Sequence, residues 1–461
     1  MAATLRAEAE DQIHQLAYKD HVTGLYNRRF LAERLKDSDA KKHHTLLLLD
    51  VDHFKKVNDL YGHPAGDELL VLLSSRMQQI AGEGACCVRL GGDEFAIHFS
   101  GDGPQELWTQ VADRLLDSIS KPFQLGGSIT QVSVSIGMAT LKPQGGSAVS
   151  LLRRGDIALY EAKRLGRNCC IWFNADMEQE LDERNLLETE MREGLAQGRF
   201  VPYFQPMMDL ASDQVSGFEV LARWDHPTRG IVEPDEFIPV AEATGMICDL
   251  SFSVMRTGLL LASKWPAHVT IAVNISPVQF KDPLLCQRII KILTETGFPA
   301  ARLELEITES AILEDRDLVF STVESLKNYG IRISLDDFGT GYASLSQLRE
   351  LPFDRIKIDR SFIASLMGDK QSNAIVHAIA TLGRSLNLPI TAEGVETENI
   401  HQRLQELGCS DAQGWLYGRA IPGPEAGSTF FDLPIDLCVP ADIEMGQLTP
   451  QRRDNLRRGA A

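Results

Sequence analysis

The sequence predicts two fold classes in tandem, an α+β domain followed by a closed α/β barrel. Three observations predict them. In the first half, apolar strands mix with helices around an antiparallel hairpin that turns at Gly91-Gly92. A charged helical stretch follows at 174–195, with Met177, Leu181, Leu187, Met191 and Leu195 on one side. From Phe200 onward, eight short strand candidates alternate with helical stretches, at 203–208, 215–224, 269–275, 303–308, 331–337, 355–359, 389–392 and 411–417. That alternation is the pattern of a closed barrel.

The elements of the first half follow in order. Residues 1–18 form a polar helix with a thin stripe of Leu5, Ala9, Ile13 and Leu16, which suits a helical linker or short coiled coil as well as it suits a frayed terminal helix. A turn from Asp20 enters a helix at Arg28-Arg29, and 45–49 is a buried strand ending in Asp50-Val51-Asp52. A helix spans 68–80, and the hairpin carries Asp93-Glu94 at its tip. Residues 130–139 alternate and predict a half-buried strand. A helix over 156–167 turns Ile157, Tyr160 and Leu165 inward and holds Lys163 and Arg167 four apart on one face. A strand over 169–173 closes the domain. Past the barrel, the tail from about 435 is polar and ends in Arg452, Arg453, Arg457 and Arg458, the composition of a disordered end.

Composition bounds the function. The 461 residues are 44% hydrophobic and 24% charged, ample material for two cores. A net charge of −18 argues against non-specific binding to nucleic acid or anionic lipid. An anionic substrate therefore needs local cations. The eight cysteines include the adjacent pairs Cys86-Cys87 and Cys169-Cys170, without Cys-x-x-Cys or zinc spacing. They predict a reduced, cytoplasmic chain, or the cytoplasmic part of a larger sensor. No apolar run approaches the roughly 18–20 residues that span a bilayer, so direct membrane insertion is not expected, and no signal-peptide pattern precedes Arg6 and Glu8.

Barrel enzymes keep their working groups at the C-terminal ends of strands. Those ends here carry Glu219, Asn274, Glu306, Asp336 with Asp337, Lys357, Glu393 and Gln413. Adjacent acids repel each other, and a divalent cation is the usual reason to keep them together. The set fits a two-metal hydrolase, in which carboxylates hold Mg2+ or Mn2+ and phosphoryl oxygens are stabilised during attack by water. In the first half, Asp50 and Asp93-Glu94 can converge on Mg2+ and a nucleoside triphosphate, with Lys163 and Arg167 meeting the phosphates.

Residues 200–425 resemble an EAL-type cyclic di-GMP phosphodiesterase domain, whose name motif stands as Glu219-Val220-Leu221. The resemblance implies that Glu219, Asn274, Glu306, Asp336 and Asp337 are ligands of two metal ions, supported by Glu393. It implies that Lys357 positions or deprotonates the attacking water. Arg223 matches a phosphate contact, Gln205 and Gln413 support the substrate site, and Glu309 anchors the loop after the Asp pair, where Gly339 and Gly341 give freedom. Ala420 replaces an expected proline. The implied reaction opens cyclic di-GMP to pGpG.

Residues 19–174 resemble the GGDEF diguanylate cyclase domain, similar in fold to nucleotidyl cyclases and polymerase palms, with a complete Gly91-Gly92-Asp93-Glu94-Phe95 signature. The resemblance implies that Asp50, the Val51 carbonyl and Glu94 bind Mg2+ with GTP, and that Asp93 lies near the reacting 3′-hydroxyl. Asn58 and Asp67 match the guanine readers, Phe54 and Lys55 flank them, and Lys163 with Arg167 match the triphosphate clamp. Two facing domains are needed to join two GTP, so a homodimer is expected. The Arg-x-x-Asp pattern of product inhibition is replaced by Gly82-Glu83-Gly84-Ala85. The organisation expected is a linker at 1–18, the cyclase-like domain at 19–174, a helix at 175–195, the barrel at 196–434 and a tail at 435–461.

Overall fold

The computed structural model describes residues 17–36, 43–142, 147–339 and 351–434. The expectations for 1–16, for the tail from 435, and for the loop that includes Gly341 fall outside the described residues. The chain divides into two compact units, Met1–Arg184 and Asn185–Ala461. The helix Ala175–Ala196 contains the division, and Met191 and Gly194 are its buried residues.

The first unit has a six-stranded sheet. Its strands are β1 (Tyr26–Asn27), β2 (His44–Val51), β3 (Cys86–Gly91), β4 (Glu94–Ser100), β7 (Val134–Leu141) and β8 (Cys170–Trp172), in the order β1-β3-β4-β2-β7-β8. A separate hairpin joins β5 (Phe123–Leu125) to β6 (Ser128–Thr130). Strand β2 is buried along its whole length, as its run of four leucines requires. The strand expected at 130–139 begins instead at Val134, and it is buried on both faces over Val134–Ala139. The cause is the helix Ala148–Arg164, which covers the outer face. A Cβ on Gly137 would lie 2.2 Å from the Leu159 backbone nitrogen and 2.3 Å from the Gly155 carbonyl oxygen, so glycine is what lets the helix approach. Ile157 faces in, whereas Tyr160 and Leu165 are exposed, contrary to the expectation from spacing.

The second unit is a closed barrel. Strands β10 (Gln214–His226), β12 (Thr270–Asn274), β13 (Leu303–Thr308), β14 (Arg332–Phe338), β15 (Arg355–Ile358), β16 (Ile390–Ala392) and β17 (Asp411–Gln413) are successive neighbours. Strand β9 (Phe200–Asp209) bonds to both β17 and β10 and shuts the ring. Short strands β11 (Gly230–Val232) and β18 (Ile421–Pro422) pair outside it. All eight strand candidates are present. One feature was not anticipated: β9 runs antiparallel to both neighbours. It does so because β9 and β10 are joined by a tight turn, in which Asp209 Oδ1 accepts from the N–H groups of Ala211 (3.1 Å) and Ser212 (2.8 Å) and Asp213 takes a φ of 53°. An apolar layer that includes Phe204, Phe218 and Trp265 packs β9 and β10, with ring centroids 4.8 to 6.4 Å apart.

Candidate active sites

The polar residues read from the barrel strands gather around one ammonium. Lys357 Nζ lies 2.5 Å from Glu393 Oε1, 2.8 Å from Glu306 Oε2, 3.5 Å from Asp336 Oδ1 and 3.6 Å from Glu219 Oε2. Its side chain is 1% exposed. Asn274 Nδ2 donates to Glu219 Oε1 at 2.6 Å, and Gln413 Nε2 donates to Glu219 Oε2 at 2.6 Å and to Gln205 Oε1 at 3.1 Å. Glu219 is not at a strand end, as the sequence reading had it. It lies mid-strand, paired with Ala272 and Gln205, because β10 continues past the barrel rim to His226. That continuation carries Arg223, whose guanidinium is 2.9 Å from Glu233 Oε2 and donates to the Ala222 carbonyl at 2.9 Å.

Four acids thus face one lysine in a dry site. Burial works against the Lys357 ammonium, but Asp336, Glu219, Glu306 and Glu393 outweigh it and hold its pKa well above the usual value. The acids divide. Burial opposes ionisation of Glu219, yet Lys357, Gln413 and Asn274 bring its pKa below the ordinary range. Burial pushes Glu306 well above that range, only partly offset by Lys357. Glu393 is pushed up to about 8 and Asp337 to about 6, by burial first and then by neighbouring carboxylates. Glu306 Oε2 has the Lys357 ammonium 2.8 Å away, whereas its Oε1 is buried without a hydrogen-bond partner among the described residues. Oxygens of Asp336, Asp337 and Glu393 lie within 4.8 Å of one another. Hard divalent cations take several such oxygens. An orphaned buried carboxylate oxygen beside a clustered acid trio is therefore a donor set that fits them. A pocket of about 550 Å3 opens beside Asn274 and Asp337, walled by Leu221, Ile238, Leu250 and Val254.

In the first unit, the β2–β4 register sets Asp50 directly opposite Glu94, at the hairpin tip beside Asp93. Lys163 Nζ lies 2.7 Å from Asp50 Oδ2. Burial raises the Asp50 pKa, and Lys163 opposes that rise. Val51 N donates to the Asp93 carbonyl at 3.3 Å, tying strand end to tip. Phe54, Lys55 and Asn58 lie on the helix Phe54–Tyr61, and Asp67 lies on the helix His63–Ala81. Arg167 is not on a helix face with Lys163. The helix ends at Arg164, and Gly166, Arg167 and Asn168 all take positive φ, at 111°, 66° and 49°. The glycine after Leu165 is the signal that ends the helix.

Residues 188–420 match the family model of the EAL domain, and residues 17–169 match that of the diguanylate cyclase, GGDEF domain. The chain belongs to the tandem GGDEF–EAL family. The uncharacterized protein y4lL of Sinorhizobium fredii is 40% identical over 91% of this chain and 51% of its own length. The bifunctional diguanylate cyclase/cyclic di-GMP phosphodiesterase MucR of Pseudomonas aeruginosa is 37% identical over 92% of this chain and 63% of its own length. Among solved structures, the PaMucR phosphodiesterase in its c-di-GMP complex is 39% identical, with a TM-score of 0.50 over 51% of this chain and 98% of that one. The chain spans 51% and 63% of the length of these two curated relatives.

Several residues of the GGDEF and EAL sites were not singled out from sequence. In the GGDEF domain, Asp52 accepts from the hydroxyls of Ser133 and Ser135 (both 2.7 Å) and from Asn168 N (3.2 Å), binding the turn after Lys163 to β2. Arg89 pairs with Asp20 at 3.0 Å and donates to the Gly92 carbonyl at 3.0 and 2.7 Å, which fixes the signature turn. The alternation Asp50-x-Asp52 was the available signal for the first; nothing local marks the second. At the opposite end of the EAL barrel, Arg355 bridges Glu304, Thr391 and Asp411. Glu309, in contrast, was named from the resemblance as the anchor of the loop after the Asp pair, and its Oε1 accepts from Gly339 N at 3.0 Å.

No helix among the described residues is long and apolar enough to cross a membrane. The seven cysteines among them are free thiols.

Proposed function

We propose that the EAL barrel hydrolyses cyclic di-GMP to linear pGpG, with two Mg2+ or Mn2+ ions. The observation that supports this reading best is the buried array of Glu219, Glu306, Asp336 and Glu393 around Lys357, which gathers four carboxylates on one cation. Glu219, Asn274, Glu306, Asp336 and Asp337 are the ligands in this reading, and Glu393 supports them. The bound ions supply Lewis acidity at a phosphoryl oxygen and lower the pKa of the attacking water. Lys357, kept protonated by its acids, orients that water and donates to phosphoryl oxygens. Arg223 meets a phosphate once it leaves Glu233, and the pocket beside Asn274 accepts one guanine.

The GGDEF domain binds GTP with Mg2+ in the same reading, using Asp50, Val51 and Glu94 for the ion and Lys163 with Arg167 for the phosphates. As a homodimer it joins two GTP into cyclic di-GMP, each 3′-hydroxyl attacking the other nucleotide's α-phosphate with release of two pyrophosphates. The second reading keeps the phosphodiesterase and makes the GGDEF domain a GTP-responsive regulator. It is favoured by stoichiometry, since one such domain offers one GTP site while the barrel carries its acid array within one chain. Incubation with GTP and separately with cyclic di-GMP, in Mg2+ or Mn2+, followed by chromatography, separates the readings. Products from both substrates support the bifunctional enzyme. Only pGpG supports the regulator, and no product from either refutes catalysis.

A further inference from the structure

A cyclic dinucleotide carries two purines on opposite sides of its phosphate ring, so a barrel that orients it needs two base sites. The pocket beside Asn274 and Asp337 lies on the β10–β12 side of the acid array and accounts for one. The other side of the array is bounded by β16, β17 and β9. We propose that Trp415, just past the end of β17, is the stacking platform for the second base. The inference rests on the phosphodiesterase reading and deepens it.

Trp415 follows Gln413, the residue whose amide touches both Glu219 and Gln205. The backbone around it is pinned. Val395 N donates to the Gln413 carbonyl and Leu416 N donates to the Val395 carbonyl, both at 3.0 Å, and Gln205 Nε2 donates to the Gly418 carbonyl at 3.5 Å. A Cβ on Gly414 would lie 2.1 Å from the Val395 carbonyl oxygen, so the close approach requires glycine. The flanking side chains are committed: Leu416 packs against the core, and Tyr417 bonds His401 Nδ1 at 2.8 Å. The indole is not. Trp415 is 58% exposed, whereas Trp224 and Trp265 are buried in the barrel core.

An indole held on a rigid rim presents a large flat face at low entropic cost. Arg419 lies over that ring, 4.3 Å from its centroid, so one face is capped by a cation. The other face is left for a base. The same guanidinium brings positive charge close to an acidic site, which an anionic dinucleotide needs. Stacking on an aromatic face requires no particular hydrogen-bond pattern. Trp415 is thus a positioning residue that selects for a base at this end, without reading which base it is.

The test is steady-state hydrolysis of cyclic di-GMP by the full chain and by W415A, W415F and W415L. Loss of one stacked base raises KM by roughly 5- to 100-fold. The expected pattern is that rise in W415A and W415L, kcat within about threefold of wild type, and recovery in W415F. Leucine restores apolar area but not a π face, so recovery in W415L overturns stacking. An unchanged KM in W415A overturns the inference alone. A wild-type chain that does not hydrolyse cyclic di-GMP overturns the functional reading and this inference with it.

Discussion

Replacing Lys357 with methionine keeps the length of the side chain and removes the one cation that the barrel acids share. Lys357 lies 2.5 to 3.6 Å from four carboxylates and is almost wholly buried. Removing one partner from a buried ion pair typically costs about 3–5 kcal/mol, because the other charge is stranded. Here four carboxylates lose the partner together. For a unit of this size each kcal/mol moves the melting temperature by roughly 2–4 °C, so K357M should melt roughly 6–20 °C below wild type in EDTA. Divalent cations should restore part of the loss. A site-specific ligand at about 100 times its Kd adds roughly 2.7 kcal/mol. Activity should not return with stability, because the orienting ammonium is still absent; a fall of more than ~100-fold in pGpG formation is expected, as for loss of one preorganised electrostatic group. Thermal unfolding by circular dichroism, in EDTA and in Mn2+, with product chromatography on the same samples, reads both effects. If K357M melts with wild type in EDTA, the acids do not depend on Lys357 for their charge balance. If it forms pGpG at the wild-type rate, Lys357 has no part in the chemistry.

Three further outcomes follow. Gly137→Ala forces a methyl against the helix backbone 2.2 Å away and should destabilise the GGDEF domain by about 1–3 kcal/mol or more; an unchanged urea midpoint would show that the helix can shift freely. His98 is buried beside His44, 3.1 Å away, and burial pushes its pKa down to about 4. The unfolded chain, with a His pKa near 6.5, takes up a proton that the folded one refuses as pH falls from ~6.5 towards 4, so this term costs up to about 3 kcal/mol below that window and nothing above it. His98→Leu should remove that part of the acid loss, and identical pH dependence of the urea midpoint in variant and wild type would rule the term out. Glu309→Ala removes the acceptor for Gly339 N. It should raise the Mn2+ concentration needed for half-maximal hydrolysis several-fold, roughly the size of one charged hydrogen bond, and an unchanged metal titration would leave Glu309 a local turn residue.

The barrel was legible because its strands are short apolar runs with a polar residue at or near the working end. Asn274 and Gln413 close β12 and β17, Glu306 and Lys357 lie near the ends of β13 and β15, and the sequence order of the strands is nearly their order in the ring. The direction of β9 was not legible from that pattern, since an apolar run reads alike in either direction. The cue was chemical, an Asp209 carboxylate free to cap its own turn. Glu219 was assigned to the right strand but to the wrong place on it, because apolar residues resume after it from Val220 to Ala222 and nothing in the run to Trp224 marks the barrel rim. In the first unit, periodicity identified β7 but not its second buried face. The helix itself was read at 156–167, but only the small residues Gly137 and Gly155 mark that it packs on this face. Arg167 shows the complementary error. Four-residue spacing fits a helix face only while the helix lasts, and Gly166 ends it.

Both halves place a lysine among acids, and the difference between the two lysines separates their roles. Lys163 is a third exposed and engages one carboxylate, Asp50. An ion pair this close to solvent is worth little, about 1 kcal/mol or less for exposed examples, so it opens at low cost when phosphates attract the lysine and a cation attracts the aspartate. Lys357 has no such exit. Its four carboxylates cannot all find other partners at once, and leaving would strand them in a medium where unpaired charge is expensive. Under the proposed function, the GGDEF pair is a contact that GTP and Mg2+ would exchange away together, whereas the EAL lysine would remain through cation and substrate binding. A site that must admit a triphosphate and release a product is served by the first arrangement. A site that must keep several acids close enough to share two cations is served by the second.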